Sequence, residues 1–241
     1  MDAYDLLATV PVSAAALGVS AQGAGLDAPV PGCPGWTVER LVGHTGRVHR
    51  MVATTVRAGL LPPRSSDGPP TGADLMEWFE EGAADVVSAC AGADPAAPIQ
   101  NWAGAPPDVA FWCRRMAHET AVHAWDAASA GPGSPPAIAP ALAADGIDEL
   151  LEWLLPRVLK RDGPAPELEA TLHVHCTDTQ GEWVVELRPD GASMRREHAK
   201  ADAALRGPAS DLLLTLYNRL DAGEVLGDTS VMASWRRHVR L

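Results

Sequence analysis

The stretch that determines the fold is DVAFWCRRMAHETAVHAWDAASA, residues 108–130. Pro106 and Pro107 precede it, and Gly131 and Pro132 follow it, which are common start and stop signals of a helix. At about 100° per residue, one side of this helix carries both apolar and charged side chains: Trp112, Arg115, Met116, Glu119, Val122, His123 and Asp126. The apolar members predict that this side is buried, so the charged members need partners there.

Glu119 and His123 stand four residues apart, so their side chains can converge on one metal ion from neighbouring turns. This is not the H-E-x-x-H motif of metalloproteases, because His118 lies about 100° around the helix from Glu119. A third ligand would have to come from another helix. The alternative is an ordinary surface, on which Arg115 pairs with Glu119 and His123 pairs with Asp126.

Composition limits the class of protein. The 241 residues are 46% hydrophobic and 21% charged, as in globular soluble proteins. A net charge of −12 argues against nucleic acid or an anionic membrane as a partner. The N-terminus lacks a basic signal-peptide region, and no uninterrupted apolar run has the length of a membrane span. The widely spaced cysteines indicate free thiols, so we expect a cytoplasmic protein. We expect it to be either a monomer or a homodimer.

Patterns before Gly131 predict four helices, at about 2–24, 38–58, 71–91 and 108–130, and therefore a four-helix bundle. Thr37 is a good N-cap for the second helix, and Thr71 or Asp74 for the third. His44 and His49 lie near opposite edges of the apolar stripe of the second helix, with His49 nearer its centre. The helical pattern by itself does not choose between these two histidines as the third ligand.

The Gly/Pro-rich segment ending at Pro136 predicts a boundary between domains 1–136 and 137–241. In the second domain we expect a helix over 140–160, then strands near 168–176, 183–188, 192–198 and 203–206, a helix over 212–220, a short strand from Val225 and a C-terminal helix. The predicted class is α+β, with a mostly antiparallel sheet. His173 and His175 alternate with apolar residues, which favours a solvated face over metal ligation.

Three parts of the chain together resemble the mycothiol-dependent maleylpyruvate isomerase family, which has a DinB/YfiT-like bundle and a sterol-carrier-like C-terminal domain. CPGWTV (33–38) and LVGHTGRVH (41–49) resemble its second helix. RRMAHETAVHAWD (114–126) resembles its third metal-ligand helix, and ADAALRGPASDLLLTLYNR (201–219) its C-terminal domain. The resemblance spans essentially the whole chain in the same order.

The resemblance implies a divalent metal, usually zinc, held by His44, Glu119 and His123. The helical pattern by itself keeps His49 as the alternative ligand to His44. The resemblance also implies that Arg219 approaches the site and holds a substrate carboxylate. We expect Asp126 to accept the free N–H of His123, and Arg115 to pair with Glu119 or reach the substrate. Leu-Tyr-Asn-Arg stands at 216–219 where the family usually has Leu-Trp-Gly-Arg, which leaves the substrate open.

Three protein ligands leave one zinc position open, and a thiol bound there loses its proton. The resemblance thus implies an enzyme that activates mycothiol as a thiolate for cis–trans isomerisation of maleylpyruvate or a similar unsaturated acid. One alternative is a mycothiol S-transferase that acts on an electrophile in detoxification or specialised biosynthesis. Another is a non-catalytic metal- or ligand-binding module.

Overall fold

The chain forms two compact units in a computed structural model, Met1–Pro136 and Ala137–Leu241. The described residues are 1–63, 68–163 and 168–240. The first unit is helical, and the second combines helices with a five-stranded sheet. The predicted α+β class is therefore confirmed. The Pro-, Ser- and Gly-rich stretch 60–70 suggests a loop from its composition, but residues 64–67 of it lie outside the described part, as do residues 164–167 before the first strand.

In its described residues, the first unit has one short helix and four long ones: α1 (Ala3–Leu7), α2 (Thr9–Ala24), α3 (Val38–Ala58), α4 (Asp74–Ala91) and α5 (Val109–Ser129). Helix α3 packs on α4, α2 packs on α5, and α3 also contacts α5. A Cβ atom at Gly46 would lie 2.4 Å from the ring of Trp78, so glycine permits close packing of α3 on α4. The α3–α5 contact matters most, because it carries the candidate site.

Local capping explains where two of these helices begin. The side chain of Thr37 accepts the backbone N–H of Arg40, and that of Asp108 accepts the backbone N–H of Phe111. Helix α4 differs from expectation: its N-cap is Ala73, which has no side chain able to cap. The predicted cap by Thr71 or Asp74 is therefore wrong. Asp74 instead lies in the first turn, where the positive end of the helix dipole stabilises its carboxylate.

The predicted N-terminal helix is interrupted at Ala8, and Pro11 lies in the first turn of α2, where proline is tolerated. By length and composition alone, Ala3–Ala24 is apolar enough to cross a membrane. In the structure, however, α2 buries one stripe of this segment against the bundle: Val10, Ala14, Leu17, Gly18 and Ala21. The same composition suits a core helix, so the absence of membrane association stays a prediction.

The second unit contains helices α6 (Pro140–Glu149), α7 (Leu155–Asp162), α8 (Ala209–Leu216) and α9 (Ser230–His238). Its strands are β1 (Ala170–Cys176), β2 (Glu182–Arg188), β3 (Gly191–Arg195), β4 (Ala203–Gly207) and β5 (Glu224–Gly227). They are ordered β3-β2-β1-β4-β5, and only the β1–β4 pair of this described sheet is parallel. The mostly antiparallel sheet is therefore confirmed.

The helix predicted over 140–160 is not uniform. Between α6 and α7 the backbone forms a π-helical segment, Leu150–Leu154. Pro156 lies just inside α7, where it offers no N–H to the preceding turn and its ring would crowd an α-helical carbonyl. A wider π turn relieves that conflict without ending the helix. Pro156 thus reshapes the middle of this helical stretch, which continues to Asp162.

Two predicted elements of the second unit end early. Strand β3 stops at Arg195, so His198 lies in the loop that follows it. Helix α8 stops at Leu216, and Asn218 then takes a left-handed conformation with φ 59°. Asparagine tolerates this conformation better than most residues and so marks the end of the helix. Arg219 consequently lies in a turn after α8.

Candidate metal centre

The mixed face of α5 is buried, as its apolar members predicted. Arg115 and Asp126 are only 3% and 0% exposed, and Trp112 and Met116 are fully buried. Both pairs of the surface alternative do form, Arg115 with Glu119 and His123 with Asp126. Because they form inside the protein, the surface interpretation is wrong and this face requires another explanation.

His44 of α3 meets Glu119 and His123 of α5, and these three residues form what we call the bundle cluster. The Nε2 atom of His44 lies 3.1 Å from Oε1 of Glu119, and the Nε2 atom of His123 lies 3.3 Å from the same oxygen. Donor atoms of all three lie within 4.8 Å of one another. Ligand atoms of a tetrahedral zinc site are about 3.4 Å apart, so these residues fit a divalent metal.

Asp126 supports the cluster from its buried side. Its Oδ2 atom lies 3.0 Å from Nδ1 of His123, so a proton on Nδ1 leaves the Nε2 lone pair directed at the cluster. The thiol of Cys33 donates a hydrogen bond to the same carboxylate oxygen, at 3.4 Å. Cys33, His123 and Asp126 also lie close enough to bind a metal. Because Nδ1 holds the proton in this arrangement, we interpret Asp126 and Cys33 as support for His123.

Charges within the cluster shift the protonation of its members. Burial raises the pKa of Glu119, but the charge of His123 and hydrogen bonds from His123 and His44 reverse this and hold it well below its usual range. Burial lowers the pKa of His123, but Glu119 and Asp126 more than compensate and raise it to about 9. With no metal bound, an ionised carboxylate therefore lies beside an imidazolium, and a metal ion would replace that proton.

Arg115 neutralises the other side of Glu119. Its Nη2 atom donates to Oε2 of Glu119 at 3.2 Å, while Oε1 faces the two histidines. The side chain of Arg115 is buried, and its positive charge would be costly there without the carboxylate of Glu119 as a partner. Arg115 therefore pairs with one oxygen of Glu119, as one of the two predicted alternatives had it, while the two histidines share the other oxygen.

A tight turn before α3 places an indole over the two histidines. Cys33–Trp36 closes with a 2.9 Å hydrogen bond from the Trp36 N–H to the Cys33 carbonyl, with Pro34 and Gly35 at its centre. Gly35 has φ 78°, the conformation that this turn type requires after proline. The Trp36 ring then lies 5.0 Å from that of His44 and 6.3 Å from that of His123, measured between centroids.

From the sequence alone, Cys33 is expected to be a free thiol and Trp36 has no assigned function. The signal was present, because Pro-Gly between Cys33 and Trp36 predicts a type II turn that returns the chain on itself. What could not be read from the sequence is which surface that turn faces.

His49, the alternative ligand, is not part of the bundle cluster. It is fully buried, its ring stacks 5.8 Å from that of Phe79, and its Nε2 atom lies 2.9 Å from Oγ1 of Thr120. The Thr120 hydroxyl donates to the Met116 carbonyl, so Nε2 of His49 must supply the proton of this second bond. Burial lowers the pKa of His49 to about 4, which keeps the ring neutral.

Arg219 belongs to the second unit, so the bundle cluster by itself does not contain it. Its Nη1 atom donates to the backbone carbonyl of Tyr217 at 2.9 Å, and its guanidinium lies 5.8 Å from the centre of the Tyr217 ring. These contacts hold the side chain near its own turn. Its suggested role in binding a substrate carboxylate stays a prediction.

Comparison with known families matches almost the whole chain. Residues 12–128 match the mycothiol maleylpyruvate isomerase N-terminal domain, and residues 141–234 match the C-terminal domain of the same family. No curated protein sequence matches the chain.

Two solved structures share the fold, and both are described as mycothiol-dependent maleylpyruvate isomerase. The first is 12% identical to this chain, with a TM-score of 0.64. The second, a variant of that enzyme with one histidine replaced by alanine, is 11% identical, with a TM-score of 0.65. Each comparison covers 92% of this chain and 92% of the other, so the likeness in fold extends over both units.

Proposed function

The chain belongs to the mycothiol maleylpyruvate isomerase family, and from this premise we propose that it is a metal-dependent enzyme that uses mycothiol. The proposed reaction is cis–trans isomerisation of maleylpyruvate or a closely similar unsaturated acid. Family membership supports the enzyme class and the thiol. The metal, its ligands and the substrate are inferences from the residues of this chain.

The observation that carries the proposal is the meeting of His44, Glu119 and His123 at one point, with Asp126 behind His123. Three ligands suit a catalytic zinc site, because such sites keep one position open, whereas structural sites are filled by four protein ligands. When bound there, a divalent metal would lower the pKa of a thiol and so supply thiolate at neutral pH. A module that only stores a metal has no need of an open position.

The side chains around the cluster have distinct tasks in this proposal. Asp126 keeps the Nδ1 proton on His123, so that Nε2 remains available as a ligand. Arg115 balances the charge of Glu119 and fixes one of its oxygens. Trp36 covers the two imidazoles with an apolar ring, which limits the access of water to them.

At the substrate, the thiolate adds to one carbon of the cis double bond, and the electron pair moves onto the conjugated carbonyl group. Rotation about the resulting single bond and return of the electron pair expel the thiolate and give the trans isomer. The thiol is regenerated, so no oxidant or reductant is needed. Arg219 is the proposed partner of a substrate carboxylate, since a guanidinium binds this group in bidentate fashion.

The test is elemental analysis of the purified protein, followed by titration with mycothiol and an assay with maleylpyruvate. We expect metal bound in the bundle, saturable thiol binding, and conversion to fumarylpyruvate only when mycothiol is present. A stable mycothiol adduct in place of the trans acid would identify an S-transferase instead. Metal without thiol binding would overturn the enzyme proposal and favour the binding module. Zinc as the metal, the cytoplasmic location and the oligomeric state stay predictions.

A further inference from the structure

A second group of metal-binding side chains lies on the sheet of the second unit. His173 and His175 are two residues apart on β1, so they point to the same face, opposite Leu172 and Val174. The antiparallel register places Glu182 of β2 directly across from His175. His175 and Glu182 are close enough to form a hydrogen bond through Nδ1 and Oε1. Two strands therefore bring two imidazoles and a carboxylate together.

The loop after β3 adds a third imidazole. The Nδ1 atom of His198 lies 3.2 Å from the same Oε1 atom of Glu182, and its ring centre lies 5.1 Å from that of His173. Arg196 anchors this loop, because it donates to Asp148 at 2.6 Å and to Glu152 at 2.7 Å. We call His173, His175, Glu182 and His198 the sheet cluster.

Donor atoms of all four residues lie within 4.8 Å of one another. This spacing is within a small side-chain rotation of the roughly 3.4 Å between ligand atoms in a tetrahedral zinc site. His173 adds an independent observation: it is only 8% exposed, and its buried Nε2 atom has no hydrogen-bond partner among the described residues. Such an atom is costly to bury unless it has a partner, and a metal ion would supply one.

We propose that the sheet cluster binds a divalent transition-metal ion of the zinc type. Three imidazoles and one carboxylate suit zinc better than magnesium or calcium, which prefer oxygen ligands. Arg206 of β4 is paired with His175 in the sheet and brings a positive charge near the cluster. Its guanidinium forms an ion pair with Glu224, at 3.8 Å, which balances that charge. One carboxylate with neutral imidazoles leaves the bound ion with a net positive charge, which the acidic protein tolerates.

Four protein ligands fill a tetrahedral ion, so this would be a structural site without an open position. It would tie the loop that carries His198 to strands β1 and β2. This proposal is independent of the enzyme activity, because it concerns other residues and another unit. It also revises the expectation that His173 and His175 form a solvated face, since His173 is buried.

The test counts metal ions in the full-length protein. Wild-type protein dialysed against Zn²⁺ should retain about two ions per chain, one in each cluster. Glu119→Ala or His44→Ala should retain about one, and adding His175→Ala with His198→Ala should remove that last ion. His238→Ala, which belongs to neither cluster, is the matched control and should change nothing. Wild-type protein with a single ion that Glu119→Ala removes would overturn the proposal.

Two further measurements guard against misfolding. His175 and His198 are preferred over the buried His173, because their side chains are 30% and 76% exposed and should be replaceable without loss of the core. Co²⁺ in the Glu119→Ala background should give the strong visible absorption of a tetrahedral site, and the double histidine variant should lack it. Zn²⁺ should raise the Tm of this background and not that of the double variant. Equal Tm shifts in both would contradict the site.

Discussion

The bundle cluster and the sheet cluster share one arrangement, in which a single carboxylate oxygen lies between two imidazoles. In the bundle, Oε1 of Glu119 faces His44 and His123; in the sheet, Oε1 of Glu182 faces His175 and His198. The surroundings differ. Arg115 and Asp126 support the bundle cluster from the core, whereas a further imidazole, His173, completes the sheet cluster.

This difference separates two uses of the same donor groups. In the bundle cluster, Arg115 and Asp126 do not themselves bind the metal, so one coordination position of the ion stays open. In the sheet cluster, His173 would be a fourth ligand and would fill that position. The bundle ligands also lie on two long helices, while His198 lies on a loop. We therefore expect the bundle cluster to be the more rigid of the two, and the sheet cluster to depend on how firmly its loop is held.

The largest effect should come from Glu119→Ala. It removes the carboxylate shared by His44 and His123, so the bundle metal should be lost and activity should fall by at least about a thousandfold. Elemental analysis and the isomerase assay measure the two losses. Glu80→Ala, an exposed carboxylate on α4, is the control and should keep both. Full metal occupancy in Glu119→Ala would show that the ligand assignment is wrong.

Burial of an imidazole does not by itself make a metal site, and His49 provides the test. Its pKa is about 4 in the folded protein and 6.5 when unfolded, so below pH 6.5 the unfolded state binds the extra proton. Stability is therefore lost as pH falls from 6.5 to 4, by about 3 kcal/mol. Urea unfolding at several pH values should show this loss, and His49→Leu should remove it.

Val52→Ala, a buried apolar position on the same helix, is the control for this pH effect: it removes no titrating group, so it should lower stability at every pH and leave the slope unchanged. If His49→Leu kept the full slope between pH 6.5 and 4, then His49 would not be the neutral core residue described here.

Asp126→Asn should weaken metal binding in the bundle by about 10- to 100-fold while all three ligands remain. The amide cannot hold the Nδ1 proton of His123 as a carboxylate does, but it preserves the shape of the side chain. Competition with a chelator of known affinity measures the change. Cys33→Ala removes only the weak thiol donor to Asp126 and should have a smaller effect; equal effects would assign the support to the thiol.

The smallest effect should come from Arg196→Gln, which frees the loop that carries His198. Arg196 is 52% exposed, so loss of its pairs with Asp148 and Glu152 should lower the free energy of unfolding by less than about 1 kcal/mol. Metal affinity of the sheet cluster should fall modestly, as measured by chelator competition. An unchanged sheet-site affinity would show that the loop is held by other contacts.

The sequence predicted most of what lies on helices. The period of α5 identified the buried face, and the spacing of Glu119 and His123 identified a pair able to share an ion. The choice of His44 over His49 needed the family resemblance. The centre of an apolar stripe faces the core, as His49 does, whereas His44 lies toward an edge, with 30% of its side chain exposed.

What the sequence did not predict depends on register and on loops. His173 and His175 are visible on one strand, but their partner Glu182 is fixed by the pairing of β1 with β2. His198 reaches the cluster only because β3 ends at Arg195. Trp36 likewise reaches the bundle cluster through a turn, and no residue pattern states which surface a turn will face.

The π turn at Leu150–Leu154 has a consequence for comparing this chain with distant relatives. One π turn accommodates an additional residue with little change in helix length, which is equivalent to a single-residue insertion. A gap-free alignment with a relative that has an ordinary helix here would therefore displace every later residue by one position, which within the helix is a rotation of about 100°. The first solved structure is only 12% identical to this chain. Residues beyond Pro156, including Arg219, are therefore matched to their counterparts by superposing the structures.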